Sequence, residues 1–257
     1  MIKPLALLSV AALTLVGCAK QDAPAAADAA PAAEKRKIVI ATEAAYPPFN
    51  DTDANGNIIG FDVDVMNALC AEMNADCQIV AQDWDGLIPS LLANKYDAII
   101  AGMSITPERQ AQVDFSDSYF SNTIVWLAKN DGSFDPNNIT NKTLASQRST
   151  TGAAYIIERF DGKDGNRVNL YDTYTNAYLD MKSGRSDAVM AEKVSASDWL
   201  KQPGNEAFGL IGDEINNNDN LGIAVRKGDS LKADFDAALA TIKANGKLAE
   251  IEKAHFQ

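Results

Sequence analysis

The sequence predicts an α/β fold in two similar lobes, each a mostly parallel sheet flanked by helices. Three observations carry that prediction. From Ile38 onward short apolar runs alternate with stretches of helical periodicity, the pattern of strands that pair in parallel through crossover helices. A weak internal repeat emerges when Asp97 is set against Asp187: WDGLIPSLLANKYDAIIA and YTNAYLDMKSGRSDAVMA each run from an aromatic through a helix and a turn into Asp-Ala and an apolar strand. With 46% of the 257 residues hydrophobic and 23% charged, the chain can fill one large core or two modest ones, and disorder is excluded for most of it.

Taken in order, the apolar runs place strands at 38–42 (IVIAT), 77–82 (CQIVAQ), 97–103 (DAIIAGM), 123–129 (TIVWLAK), 143–147 (TLASQ), 168–172 (VNLYD), 187–192 (DAVMAE), 208–212 (FGLIG) and 221–225 (LGIAV). Each is short and apolar, as a strand covered on both faces requires. Helices stand between them at 61–74, 85–95, 106–113, 151–160, 174–185, 193–202 and 230–254. Two helix starts carry caps: Thr106 with Pro107 in the first helical position, and the hydroxyl cluster Ser149-Thr150-Thr151 before AAYIIERF. In such folds a ligand lies beyond the carboxyl ends of the strands. Two lobes joined by extended segments would form a cleft that a hinge can close.

Lys plus Arg total 23 against 35 Asp plus Glu, a formal charge of -12 that nucleic acid and anionic lipid headgroups would repel. Residues 1 to 18 hold Lys3, an apolar run from Leu5 to Val16 and a small residue before Cys18, which is the pattern of a secretory signal. The run is shorter than the roughly 20 residues of a spanning helix. Leu15-Val16-Gly17-Cys18 resembles the bacterial lipobox, making 1–17 a removed signal and Cys18 a lipid-bearing N-terminus; an ordinary signal with an incidental cysteine is the alternative. The Ala, Pro and Asp of residues 18–36 have little to bury and form a tether. Fully extended, such a tether reaches roughly 60 Å at about 3.3 Å per residue. The other cysteines, Cys70 and Cys77, flank the end of the 61–74 helix and the next strand. In an exported protein they would form a disulfide or remain two buried thiols. His255, the only histidine, is remote from them, so neither a metal site nor a cofactor is expected.

Two corners could receive an anion. At Ser104-Ile105-Thr106-Pro107-Glu108-Arg109 a helix start faces the end of a strand, and its free N–H groups and positive dipole end suit a carboxylate. A cation in the first turn opposes that dipole. Arg109 is therefore expected to fork onto a bound carboxylate or, failing that, to pair with Glu108 or Asp114. The second corner is Gln147-Arg148-Ser149-Thr150. Glu43 and Glu192 follow strand ends and could take an ammonium or guanidinium, with Tyr46 and Trp84 beside them as flat faces or as ordinary core and rim residues.

The runs ATEAAYPPFN, GNIIGFDVDVMNALC, WDGLIPSLLANKYDAIIAGMSITPERQAQVDFSDSYF, QRSTTGAAY and LGIAVRKG resemble the periplasmic polar amino-acid-binding proteins of ABC importers. The likeness covers residues 37–257 and is nearest to the arginine and lysine/arginine/ornithine/histidine binders. It implies the two-lobed (type II) periplasmic binding protein fold, with lobe one at 37–121 plus 224–257, lobe two at 122–223, and the ligand in the hinge cleft. It further implies that Arg109 binds the α-carboxylate with Ser104 and Thr150. Glu192 would take the α-ammonium with the Gly102 carbonyl, and Tyr46 and Trp84 would sandwich the side chain, with Glu43 at its far end. Gln147 and Arg148 enter through the second corner. Ala101 stands where some basic binders carry a hydroxyl, and both Glu43 and Glu192 replace the usual Asp, lengthening each acid by one methylene. Cys70 and Cys77 match the disulfide pair of the basic binders.

The resemblance implies a non-catalytic, monomeric, lipid-anchored periplasmic binder that captures an L-amino acid by hinge closure and passes it to a membrane permease. Arginine is expected before lysine or ornithine. Glutamine is the alternative, because related glutamine binders also hold an acid at the position of Glu43. An enzyme like the cyclohexadienyl dehydratases of the same fold is the rival from another class, with Glu192 and Lys193 its suggestive acid–base pair. A sensory role through receptor docking leaves no motif to read.

Overall fold

The computed structural model describes residues 35–256. The signal, Cys18 and the tether up to Glu34 lie outside the described residues. The chain begins with β1 (Lys37–Thr42), a small hairpin of β2 (Asp51–Thr52) and β3 (Ile58–Ile59), α1 (Phe61–Glu72) and β4 (Asp76–Ala81). A short 3-10 turn (Trp84–Gly86) leads into α2 (Leu87–Leu92), β5 (Ala98–Ile99), α3 (Pro107–Gln110) and β6 (Val113–Phe115). The long β7 (Phe120–Lys129) is followed by β8 (Thr143–Gln147), α4 (Thr151–Phe160), β9 (Arg167–Tyr171), α5 (Tyr174–Lys182), β10 (Ala188–Glu192) and α6 (Lys193–Lys201). The longest strand, β11 (Phe208–Leu221), returns the chain to β12 (Ala224–Arg226), α7 (Leu231–Ala244) and α8 (Lys247–Phe256).

Two five-stranded sheets result, ordered β4-β1-β5-β12-β6 and β11-β7-β10-β8-β9. In each, four of the five strands point the same way and one runs against them, so the sheets are mostly parallel in strand direction though mixed in pairing. In the first, β1 pairs in parallel with β4 and β5 while β12 runs antiparallel to β5 and β6; in the second, β8 pairs in parallel with β9 and β10 while β7 runs antiparallel to β10 and β11. The cause lies in the crossing strands. β7 leaves the first sheet's side and β11 brings the chain back, pairing antiparallel from Phe120–Leu221 to Lys129–Phe208; β7 is the one reversed strand of the second sheet and β12, which follows the return, that of the first.

Other boundaries moved for local reasons. The run 97–103 keeps only Ala98–Ile99 as strand, because the chain turns at Gly102, whose φ of 56° is left-handed. The helix expected over 106–113 ends at Gln110, since Val113 to Phe115 pair with β12 as an edge strand. The span 230–254 is two helices, broken at Gly246 with φ 82°. Strand 208–212 extends into one continuous β11 as far as Leu221, with register shifts between Ile211 and Ile215 and between Ile215 and Asp219, and 221–225 is realised as β12 from Ala224.

Side chains on both faces of β1 and β10 are buried, as central strands covered by helices require: Ile38 and Ile40 pack with Phe61, Leu69 and Phe235, and Met190 packs with Trp126 and Ile156. Cys70 and Cys77 are bonded, with 6.2 Å between their Cα atoms, which ties the end of α1 to the start of β4.

Candidate functional site

The carboxyl ends of β1, β4, β5, β8 and β10 converge, and the residues just beyond them surround a small cavity of about 10 Å³. Its walls are Glu43, Tyr46, Trp84, Ala101, Gly102, Ser104, Arg109, Gln147, Thr150 and Glu192, joined by Tyr174. Ten of the eleven residues expected from the sequence are thus together; Arg148 is not among the lining residues and reaches outward to Asp85 and Asp172. A wider groove of about 570 Å³ lies beside β7 and β11, lined by hydroxyl and amide side chains such as Ser121, Asn122 and Asn218 together with charged ones, of which Lys193 and Glu214 are paired with each other.

Local sequence explains how the corners are held. The Thr106 side chain accepts from the Arg109 N–H with Pro107 at the helix start, and Thr150 caps α4 by accepting from Ala153 N at 3.1 Å. Gly102 forms part of the cavity wall. A Cβ there would stand 2.8 Å from the Tyr46 ring, so both space and φ demand glycine. The Gly102 N–H donates to Asp62 at 2.8 Å, and Asp62 also accepts from Tyr119 Oη at 2.7 Å and Asn50 Nδ2 at 2.9 Å. Burial nevertheless pushes the Asp62 carboxyl up to about 7, the three bonds pulling the other way.

Charged groups from the two sheets meet across the cavity. Tyr46 Oη donates to Glu192 at 2.9 Å, and Gln147 Nε2 donates to Glu43 at 2.6 Å. Arg109 donates from Nη1 to the Ser104 carbonyl at 2.8 Å and from Nη2 to the Ser149 carbonyl at 2.9 Å, with its guanidinium 5.2 Å from the Trp84 ring centroid. It does not use Asp114, which pairs with Lys227. Burial pushes the Glu43 carboxyl up to about 7, eased by Gln147 and reinforced by Glu192. Glu192 is likewise pushed up to about 7 by burial and then by the nearby Asp219. An enclosed guanidinium with two carboxyls raised toward neutrality can clamp a zwitterion, the guanidinium taking a carboxylate and the carboxyls ionising against cations.

Three neighbours of the cavity residues escaped the sequence. Tyr174 lines the cavity, donates to Thr150 Oγ1 at 3.2 Å and lies 5.6 Å from the Tyr46 ring. Its signal was available, since Thr173 caps α5 after a strand just as Thr106 and Thr150 cap theirs. Asp62 acts through contacts 40 to 57 residues away and left no local mark. Asp219 is buried with both oxygens unpartnered, and burial holds its carboxyl up against the pull of Ser104 and Arg109.

Two α/β lobes, crossed by extended strands and closing on a polar, charge-lined cavity, define a ligand-binding protein of the two-lobed periplasmic type. Over residues 38–257 the chain belongs to the bacterial extracellular solute-binding proteins, family 3. It is 38% identical over 230 residues to ABC transporter arginine-binding protein 1 of Escherichia coli (strain K12), covering 88% of this chain and 93% of that one. A solved ancestral arginine-binding protein bound to arginine superposes with a TM-score of 0.81 at 34% identity, covering 87% of this chain and 99% of that one. An ancestral arginine-binding protein bound to glutamine gives 0.79 at 33% identity, covering 87% and 99%. Members of this family are solute-binding transport proteins working with ABC importers, and the chain is a binder rather than an enzyme. Among the described residues no helix is long and apolar enough to cross a membrane.

Proposed function

We propose that this protein captures a basic L-amino acid, arginine before lysine or ornithine, and delivers it to an ABC importer. The observation that carries the reading is the joining of one guanidinium and two glutamates in a single enclosed cavity. Arg109 takes the α-carboxylate with Ser104 and Thr150, and Glu192 with the Gly102 carbonyl takes the α-ammonium. Glu43 and Gln147 meet the side-chain cation between Tyr46 and Trp84, with Ala101 leaving room in place of a hydroxyl. The lobes are 37–121 plus 224–257 and 122–223, hinged at β7 and β11. The protein works as a monomer in the periplasm, carries the Cys70–Cys77 disulfide there, and is held to a membrane by lipid on Cys18 after removal of residues 1–17.

Glutamine is a second reading, favoured by one observation: with its carboxyl raised to about 7, Glu43 is in part protonated at neutral pH and can donate to a side-chain amide. Isothermal titration against the twenty amino acids and ornithine decides between them. Tight binding of arginine, with glutamine at least tenfold weaker, supports the basic assignment; binding of glutamine alone overturns it.

A further inference from the structure

Outside the cavity, the turn after β4 is gripped by the corner after β8. Asp85 accepts from Ser149 Oγ at 3.0 Å and from Arg148 Nη1 at 3.1 Å, one donor to each oxygen. The neighbouring Trp84 Nε1 donates to the Arg148 carbonyl at 3.1 Å. Arg148 Nη2 donates to Asp172 at the end of β9, within its own sheet's lobe, and the Asp172 carbonyl accepts from Gln147 at 2.8 Å. The side chains of Asp85 and Arg148 are 42% and 41% exposed, which puts them at the rim of the cleft.

We propose that Asp85, Arg148 and Ser149 form a rim latch that sets how long the closed protein retains its ligand, whichever amino acid it holds. The proposal rests on the amino-acid-capture reading. Each latch bond joins protein to protein, so its strength is independent of the ligand's side chain. Asp172 orients Arg148 from the same lobe, so closure immobilises little that was free before. Opening must break both Asp85 bonds, whereas entry into an open cleft meets neither, and the effect therefore falls on koff rather than kon. A single exposed ion pair would contribute little. Here one carboxylate holds two donors beside an indole bond, a shared network rather than an isolated pair.

The test uses Asp85→Asn, Arg148→Gln and the double variant, with stopped-flow tryptophan fluorescence on L-arginine and L-glutamine. Each single variant should raise koff roughly three- to tenfold, by the same factor for both ligands, with kon within twofold of the parent. The double variant should add little beyond either single one. Raising salt from 0.05 to 0.5 M should speed release from the parent and not from the double variant. Unchanged koff, or a change confined to kon or to one ligand, overturns the latch. Should the parent bind no amino acid, the capture reading fails; small-angle scattering then still decides the latch, since Asp85→Asn must enlarge the radius of gyration. An unaltered radius in that case overturns it. Melting curves within a few degrees of the parent certify the fold.

Discussion

Replacing Glu43 by Gln tests whether the cavity reads side-chain charge. The substitution keeps the shape and the contact with Gln147 while removing the ability to ionise. Burial holds the Glu43 carboxyl near 7. Each pH unit below that value costs about 1.4 kcal/mol for ionisation, or tenfold in the affinity of a ligand that needs the anion. Between pH 6 and pH 8 Glu43 therefore contributes roughly a tenfold gain in arginine affinity and none in glutamine affinity. Glu192, raised similarly, adds a pH slope shared by both ligands because both carry an α-ammonium. In Glu43→Gln at pH 8, arginine should lose about 2 to 5 kcal/mol, the cost of breaking a buried charge pair, while glutamine changes within a few-fold. Titration calorimetry at pH 6, 7 and 8 with both ligands reads all of this. Equal losses for the two, or an arginine slope that still exceeds the glutamine slope in the variant, would refute the role given to Glu43.

Arg109→Ala should weaken every amino-acid ligand by about 2 to 5 kcal/mol with little change in melting temperature; retained affinity in calorimetry would remove Arg109 from carboxylate recognition. Glu43, Asp62 and Glu192 are all raised to about 7 from ordinary values near 4.5 or 3.8, so the folded protein holds protons that the unfolded chain has released. Their stabilisation is complete below the unfolded values and is lost as pH rises through 7. Without added ligand the melting temperature should accordingly fall from pH 5 to pH 8, and arginine should restore more of it at pH 8; a rising profile would contradict the burial argument. Reducing Cys70–Cys77 opens a short loop and should cost about 2.5 kcal/mol on the chain-entropy model, lowering the melting temperature by roughly 5 to 10 °C in a calorimetric scan.

What could be read from the sequence was what local chemistry dictates. Thr106-Pro107 and Thr150 announced helix starts because a cap acts within three residues, and Glu43 and Glu192 were visible because they close apolar runs. The arrangement of ten cavity residues followed from strand ends meeting at one edge. The one reversed strand in each sheet, β12 and β7, was hidden, since its sense depends on where the chain crosses rather than on its composition. Asp62 reads as an ordinary first-turn helix acid, yet its carboxylate is enclosed by Tyr119, Asn50 and Gly102 from three separate segments. Arg148 looked like a ligand contact by its place in the corner. Its neighbours Asp85 and Asp172, 63 and 24 residues away, turn it outward.

Recognition and closure use different bonds, and that separation has a physical consequence. Within the cavity the lobes meet through Tyr46 with Glu192, Gln147 with Glu43, and Arg109 with the Ser149 carbonyl. A bound amino acid competes for those same polar atoms. On the proposed assignment its α-ammonium needs Glu192, its side-chain cation needs Glu43, and its carboxylate needs the Arg109 fork. Binding therefore exchanges protein–protein bonds for protein–ligand bonds, and only the difference appears as affinity. Such an exchange discriminates well, because a ligand lacking one group leaves a buried partner uncompensated. It adds little to closure as such. The rim contacts of Asp85 with Arg148 and Ser149 are not exchanged, so they stabilise closure by the same amount for every ligand. Substitutions in the cavity should thus change which amino acid is held, and substitutions at the rim how long any of them stays.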